Sequence, residues 1–542
     1  MQGLMQDAPL TVDAIFRRGE QYYGSKTIAT RTVNGIERAT FAEVAADTRR
    51  TATALDLLGL SADARVGTFG WNTAHHLQLY FAVPGTGRIL HTINLRYFPE
   101  HVIYTVNHAE DEAVFVDRSL LPLFEQYLPN LETVRHVVVM DDGATAPLPA
   151  DPRVVSYDEL VSGAAELDFS GRVRDELTAA ALCYTTGTTG NPKGVLYTHR
   201  STWLHSFASL TTCAFGLSEA DVLLPVVPMF HANAWGLPYA AFMAGAALAL
   251  PGPDLSPGGI VDMLESERVT VTAGVPTIWM AALPLVAGRD LSHLRTIICG
   301  GSAVPRSLSE AWHNAIGLPI TQAWGMTELS PMGSVVSLRS EFQDATEDAK
   351  AAVRATVGIA PPGVEMRIVD TQTRTVLPWD DVAIGELECR GPWIARQYFR
   401  TDEPGEQYTG DGWLRTGDVA AISPLGYLRL VDRTKDLVKS GGEWISSVDL
   451  ENTIMSHPKV AEAAVIAVPH PRWMERPLAC VVVKPGEELT SSEVLDFLRG
   501  RISAWQLPDD VVFIDEIPKT SVGKFSKRTL RERYADYPLP MT

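Results

Sequence analysis

From about residue 66 onward, short β-rich apolar runs alternate with longer amphipathic stretches, and no other feature of the chain limits its fold as strongly. Residues 88–94 lead into 100–108, and 113–117 lead into 120–128; the rhythm returns at 136–140, 180–184, 270–274 and 296–300. Alternation of this kind predicts parallel sheets covered by helices on both faces, an α/β fold. After about residue 356 the pattern changes to Gly/Pro-punctuated strands at 364–369, 385–390 and 426–431, which predict an antiparallel, barrel-like subdomain over about 356–431. Beyond a charged stretch at 432–436 comes a small α+β unit, with a helix near 447–457, strands at 463–468 and 478–483, and a helix near 491–501. The expected division is an N-terminal body of 1–434 and a C-terminal domain of 435–542, joined by a short polar segment that invites hinge motion.

Composition narrows the function. The 542 residues carry a formal net charge of −19, which argues against general nucleic-acid binding, since that draws its affinity from neutralised phosphates. The five cysteines are far apart and form no C-x-x-C pair, so neither a zinc module nor a disulfide framework is expected, and a reducing cytoplasm fits best. No secretory signal is read at the N-terminus. The longest apolar run, 234–250, contains Gly236, Pro238 and Gly245 and is marginal for crossing a bilayer. No basic amphipathic helix stands out, and peripheral membrane contact is left open.

The most informative stretch follows the apolar run 179–183: Tyr184-Thr-Thr-Gly-Thr-Thr-Gly-Asn-Pro-Lys-Gly194. Gly187, Gly190 and Gly194 permit a backbone approach that Cβ atoms would block. The hydroxyls of Thr185, Thr186, Thr188 and Thr189 can donate to phosphate oxygens, and Lys193 adds a point charge. This is a phosphate-cradling loop outside the P-loop pattern, because Gly-Lys-[Ser/Thr] occurs nowhere in the chain.

That stretch resembles the signature of the adenylate-forming superfamily of acyl-CoA synthetases, peptide-synthetase adenylation domains and luciferases. Four further motifs agree in order: Trp324-Gly-Met-Thr-Glu328, the segment from Tyr408 to Asp418, Asp432-Arg-Thr-Lys-Asp through Ile445, and Pro518-Lys-Thr-Ser-Val-Gly-Lys524. With Pro228-Met-Phe-His-Ala-Asn-Ala-Trp235, the whole chain is most similar to bacterial medium- and long-chain fatty acyl-CoA synthetases. The resemblance implies an ATP-dependent, AMP-forming ligase that adenylates a carboxylic acid and then transfers the acyl group to coenzyme A. It implies Mg²⁺ held by Glu328 and Thr185, and nucleotide contacts from Gly301, Ser302, Ala303, Trp324, Gly325, Met326, Thr327, Asp418 and Arg433. Lys435 falls at the hinge and Lys524 at the catalytic lysine. His231, Trp235, Gly300 and Gly301 fall at the acyl pocket, and Gly441, Gly442 and Trp444 at the CoA passage, with Lys439 nearby. A homodimer through the N-terminal body is also implied.

Apart from the resemblance, several of these residues have plainer readings. Thr327-Glu328 reads as a helix N-cap pair, Gly417-Asp418 as a turn, Trp324 as a core side chain, 432–436 as a solvated turn and Lys524 as a surface lysine. No Lys or Arg lies between Arg200 and Arg268, so an alkyl acid is favoured over one with a charged distal end. Methylthio-alkanoates and aryl acids such as cinnamate stay open. So do an acyl-AMP ligase serving a carrier protein and, from a different class, an inactive scaffold that keeps the fold; Lys524, Glu328 and Asp418 speak against the scaffold.

Overall fold

A computed structural model describes residues 1, 3–185, 191–440, 443–519 and 525–539. Among these residues the strands assemble into four sheets. One has seven strands in the order Val154–Ser156, His136–Met140, Asp111–Asp117, Arg65–Phe69, Ile89–Thr92, Ala179–Thr185, Lys193–Thr198. Every pairing in it is parallel except the last, the hairpin that brackets the Thr/Gly-rich loop. A second sheet of eight strands is parallel through its centre and has an antiparallel pair at each edge. The Trp324-Gly-Met-Thr-Glu328 motif begins at the end of the strand Ile320–Gly325, which pairs with the edge strand Met332–Val335.

The opposite edge was not foreseen. The hairpin Thr27–Thr32 and Gly35–Thr40 joins that sheet through a parallel pairing of Thr27–Thr32 with Ala247–Leu250, more than two hundred residues away. The apolar run 234–250 supplies the interior between the large sheets rather than a membrane span. The helix Leu237–Ala244 is buried along its whole length, and its Phe242 ring stacks on Phe41 with centroids 4.1 Å apart. Gly19 is required there, since a Cβ would stand 2.5 Å from the Phe242 ring. Among the described residues no helix is long and apolar enough to cross a membrane.

Strands Glu365–Val369, Gly385–Arg390, Leu414–Ile422 and Leu428–Arg433 form a four-stranded antiparallel sheet. The barrel-like subdomain is thus an open meander with two edges. The C-terminal unit packs the helices Ser447–Met455, Ser491–Leu498 and Lys527–Arg533 on a sheet whose long central hairpin is Val460–His470 and Met474–Val483. Its second helix stops at Leu498, short of Arg501, because Gly500 takes φ +79° just past the end and turns the chain away.

Candidate active site

The phosphate-loop strand Ala179–Thr185 is buried almost throughout and delivers Thr185 opposite Lys193 in the hairpin register. Thr186, Gly187, Thr188, Thr189 and Gly190 lie outside the described residues. The Lys193 ammonium sits 4.8 Å from the centroid of the Tyr398 ring. The Tyr398 hydroxyl donates to Glu328 Oε1 at 2.6 Å. Lys193 and Glu328, 135 positions apart in sequence, are therefore joined through one aromatic side chain that sequence reasoning did not single out.

The segment carrying Tyr398 acts as a strap over both motifs. Phe399 N–H donates to the Gly194 carbonyl (2.8 Å), Ala395 N–H to the Glu328 carbonyl (2.8 Å), and the Ser330 hydroxyl to the Trp393 carbonyl (2.7 Å). Glu328 is 4% exposed. Burial raises its carboxyl above the usual range, while the Tyr398 hydroxyl and the charges of Arg433 and Lys193 pull the other way. Thr327 is buried beside it, its carbonyl accepting from the Tyr197 hydroxyl at 2.7 Å.

Asp418, also 4% exposed, projects from the strand Leu414–Ile422 and has a partner on each oxygen. The Trp324 indole N–H donates to Oδ2 at 2.9 Å, and Arg433 Nε lies 2.9 Å from Oδ1. The charge of Asp418 raises the Arg433 guanidinium in turn. Trp324 is a core residue among Leu329, Ile368 and Leu414, and it also fixes Asp418. Its ring needs Gly333, where a Cβ would fall 2.4 Å from Cζ3. Gly325 is just as constrained, a Cβ there standing 1.8 Å from the Pro331 carbonyl oxygen, and Met326 N–H donates to that same oxygen (3.1 Å). Gly301 takes φ +86°, and Ser302 and Ala303 are exposed on the loop that follows the strand Thr296–Cys299. Buried Gln322, which sequence reasoning also missed, ties that loop down by accepting from Val304 N–H at 3.2 Å.

Of the residues expected at the acyl pocket, His231 and Trp235 are half-buried, and the turn that follows His231 holds Ala232, Asn233, Ala234 and Trp235 all at positive φ. Left-handed backbone costs an L-residue roughly 1–2 kcal/mol, so surrounding contacts must hold this turn. The Trp235 ring lies over Gly300, where a Cβ would stand 3.3 Å from Cη2, bringing together two residues expected to line one pocket. The loop before His231 is anchored from below: Asn72 Nδ2 donates to the Pro225 and Val227 carbonyls, and Met229 N–H donates to Asn72 Oδ1 (2.7 Å).

At the C-terminal side, Thr434 N–H donates to the Gly417 carbonyl at 2.9 Å, and Lys435 follows on an exposed turn beside Asp418. Buried Asp432 accepts from Ser447 N–H (2.7 Å) and from the Ser447 hydroxyl at the start of the helix Ser447–Met455. Lys527 pairs with Glu451 at 2.8 Å and also donates to the Ser447 hydroxyl; Arg531 pairs with Asp436 at 2.5 Å. Lys439 is exposed, its ammonium 5.0 Å from the Trp444 ring across a short hairpin. Exposed Trp473, with Arg472 4.5 Å from its ring, stands next to Met474, which pairs with Ser440 of that hairpin. Gly441, Gly442 and Lys524 lie outside the described residues.

Clusters of three or more metal-ligating side chains are absent among the described residues. One buried carboxylate, Glu328, with the Thr185 hydroxyl at the strand end, is the donor set expected for Mg²⁺, which keeps waters and takes phosphate oxygens rather than an all-protein cage.

Comparison with known proteins agrees along the full length. The family model for AMP-binding enzymes matches residues 16–399, and that for the AMP-binding enzyme C-terminal domain matches 449–524. The chain is 45% identical over 538 residues to a long-chain-fatty-acid–CoA ligase of Thermus thermophilus, covering 98% of this chain and 97% of that one. It is 44% identical over 539 residues to a 3-methylmercaptopropionyl-CoA ligase of Ruegeria lacuscaerulensis, covering 99% of each. The crystal structure of the anthranilate CoA ligase AuaEII in complex with anthranoyl-AMP superposes with a TM-score of 0.86 at 26% identity, covering 98% of this chain and 99% of that one. With both family models matched in order and full-length relatives above 40% identity, the chain belongs to the AMP-binding enzyme family and is an AMP-forming acid–thiol ligase.

Proposed function

We propose that this chain joins a medium- or long-chain fatty acid to coenzyme A at the expense of ATP. The substrate carboxylate oxygen attacks the α-phosphorus of ATP, forming acyl-AMP and releasing pyrophosphate. The CoA sulfur then attacks the acyl carbon, the thioester forms, and AMP leaves with the bonding electrons. The observation that carries this reading is a pair of clusters with buried carboxylates, Lys193–Tyr398–Glu328 and Trp324–Asp418–Arg433, which set cations and hydrogen-bond partners beside the end of the phosphate-loop strand.

In the first half, two anions meet, and fixed positive charge and donors are worth most in a site closed to water. Lys193 and the hydroxyls of Thr185, Thr186, Thr188 and Thr189 receive phosphate oxygens, Gly187 and Gly190 giving the backbone room. Thr327 bonds the α-phosphate. Asp418 keeps acceptor capacity for the ribose hydroxyls while Trp324 and Arg433 hold it still, and Gly301, Ser302, Ala303, Gly325 and Met326 border the adenine. Mg²⁺, when bound, neutralises phosphate charge, with Glu328 and Thr185 as the residues to hold it. Lys524 bridges carboxylate and α-phosphate, then withdraws by rotation about Lys435. In the second half, Gly441 and Gly442 leave room for the pantetheine arm beside Lys439 and Trp444.

The acid lies along His231, Trp235, Gly300 and Gly301. A stretch without Lys or Arg from 201 to 267 supports an alkyl chain, each buried CH₂ contributing roughly 0.8 kcal/mol. The 44% identity to the 3-methylmercaptopropionyl-CoA ligase supports a short methylthio acid as a second reading. A homodimer through the N-terminal body completes the proposal, checked by sedimentation. Formation of AMP with CoA present, measured over straight-chain acids from C2 to C18, 3-methylmercaptopropionate and cinnamate, tests the substrate. A maximum between C8 and C18 supports the fatty-acid reading, and a maximum at 3-methylmercaptopropionate or cinnamate overturns it.

A further inference from the structure

Ala232, Asn233, Ala234 and Trp235 hold φ of +43°, +51°, +49° and +57°, and Gly236 follows at +71°. Single left-handed residues are common at turns, but an unbroken run of four that includes two alanines and a tryptophan is disfavoured at every step. It persists only where the surroundings over-determine it. Two clamps are visible. Asn233, 3% exposed, belongs to the residue types that tolerate this conformation, and its Oδ1 accepts from the Cys183 thiol at 3.1 Å and the Thr92 hydroxyl at 3.4 Å. Thr92 and Cys183 are register partners on adjacent parallel strands, so the amide is fastened to two paired strands of the seven-stranded sheet. Burial pushes the Cys183 thiol up to about 11, which keeps its donor proton in place.

The second clamp is at the far end of the turn. Gly236 packs on the imidazole of His205, where a Cβ would stand 2.6 Å from Nδ1. Burial lowers His205 to about 3, and its neutral Nε2 accepts from Met332 N–H at 3.3 Å. Inside the turn, Ala234 N–H donates to the His231 carbonyl (3.1 Å) and Gly236 N–H to the Asn233 carbonyl (2.9 Å). Only Trp235 of the four is half-exposed, and its ring reaches Gly300. A relaxed right-handed turn would rotate that ring off Gly300, because the direction of each Cα–Cβ bond follows the backbone hand.

We propose that Asn233 is a positioning residue for acid selection: its amide fastens a strained left-handed turn to Thr92 and Cys183, and this fixes where the Trp235 ring bounds the acyl pocket over Gly300. The inference rests on the reading that the acid lies beside Trp235, and the test separates the two. Catalytic efficiency is measured across the straight-chain acid series, together with KM for ATP, for Asn233→Ala, Asn233→Gly, Cys183→Ala and Trp235→Ala. Asn233→Ala is expected to reduce discrimination between the best acid and acids four carbons longer or shorter by about tenfold, with KM for ATP changed less than twofold. Asn233→Gly, which keeps the backbone hand available but loses the clamp, is expected to give a smaller loss of discrimination. Cys183→Ala, which leaves the Thr92 donor, is expected to give the smallest. Should Asn233→Ala fail to fold, the Gly and Cys183 variants carry the same readout. A uniform fall in rate with the wild-type acid profile, while Trp235→Ala alters that profile, overturns the role of Asn233. An unaltered profile in Trp235→Ala overturns the acyl-pocket reading beneath it.

Discussion

The nucleotide side of the site and the C-terminal hairpin are built in opposite ways. Glu328 and Asp418 are buried, and each carboxylate is held by an aromatic donor and faced by a cation. Lys439, Trp444 and Trp473 are exposed, and ring–cation contacts of 4.5–5.0 Å join Lys439 to Trp444 and Arg472 to Trp473. On the roles proposed above, the difference matches the two half-reactions. Joining a carboxylate to a phosphate needs dipoles that are already oriented when charge develops, whereas admitting a long thiol cofactor needs room and mobile surfaces. Between the two regions lies a joint that is itself buried and charged, where Asp432 caps the helix Ser447–Met455 through Ser447, and Lys527 ties Ser447 to Glu451.

The largest expected effect comes from removing the cation that the proposal assigns to one half only. Lys524→Ala should lower acid-dependent pyrophosphate release by roughly 10²–10³, the size of a lost oxyanion-type donor, yet still convert supplied acyl-AMP to acyl-CoA. Equal losses in both halves would erase the contrast between the regions. Next is Asp418→Ala, which strands Arg433 and the Trp324 indole without their acceptor. Losing a charged hydrogen bond of about 1.5–3 kcal/mol should raise KM for ATP by roughly 10- to 100-fold and leave KM for CoA near its wild-type value.

The joint supplies a stability prediction. Burial, aided by the like charge of Asp432, pushes the Glu451 carboxyl up to about 7 from an ordinary value of 4.5, despite Lys527 and the Val465 N–H bond. The folded chain therefore holds a proton that the unfolded chain releases between these values, and stability falls as pH rises from about 4.5 to about 7. At about 1.4 kcal/mol per pH unit the contribution is on the order of 3–4 kcal/mol. Thermal melts across that range should show the slope in the wild type and a flatter profile in Glu451→Gln. The smallest effect is expected from Tyr398→Phe, which removes one hydrogen bond to Glu328 but keeps the ring under Lys193. A fall of less than tenfold in pyrophosphate release, with little change in use of supplied acyl-AMP, would sharpen the contrast further.

The sequence showed the parts whose signals are local. Apolar runs such as 113–117 and 136–140 became central parallel strands because each is continuous enough to be buried on both faces. The motif residues Thr185, Lys193, Glu328, Asp418 and Arg433 came from short patterns, and the structure sets Lys193 with Glu328 and Asp418 with Arg433. What escaped was non-local. Tyr398 reaches Glu328 across 70 positions, and the Trp324 indole reaches Asp418 across 94; no spacing rule announces either contact. The edge hairpin 27–40 finds its sheet partner only in three dimensions. The left-handed turn escaped for a different reason: Ala232-Asn-Ala-Trp235 contains no glycine, and a backbone hand enforced by Cys183 and His205 leaves no local mark.

The division of labour between the two regions is tested most directly by assaying each half-reaction alone in Glu328→Gln and Lys439→Ala. Acid-dependent exchange of pyrophosphate into ATP reports the first half, and CoA-dependent consumption of supplied acyl-AMP reports the second. The expected result is a crossed pattern, with Glu328→Gln losing at least tenfold more in exchange than in thioester formation and Lys439→Ala the reverse. Parallel losses, with each variant slowing both halves to the same extent, would contradict it.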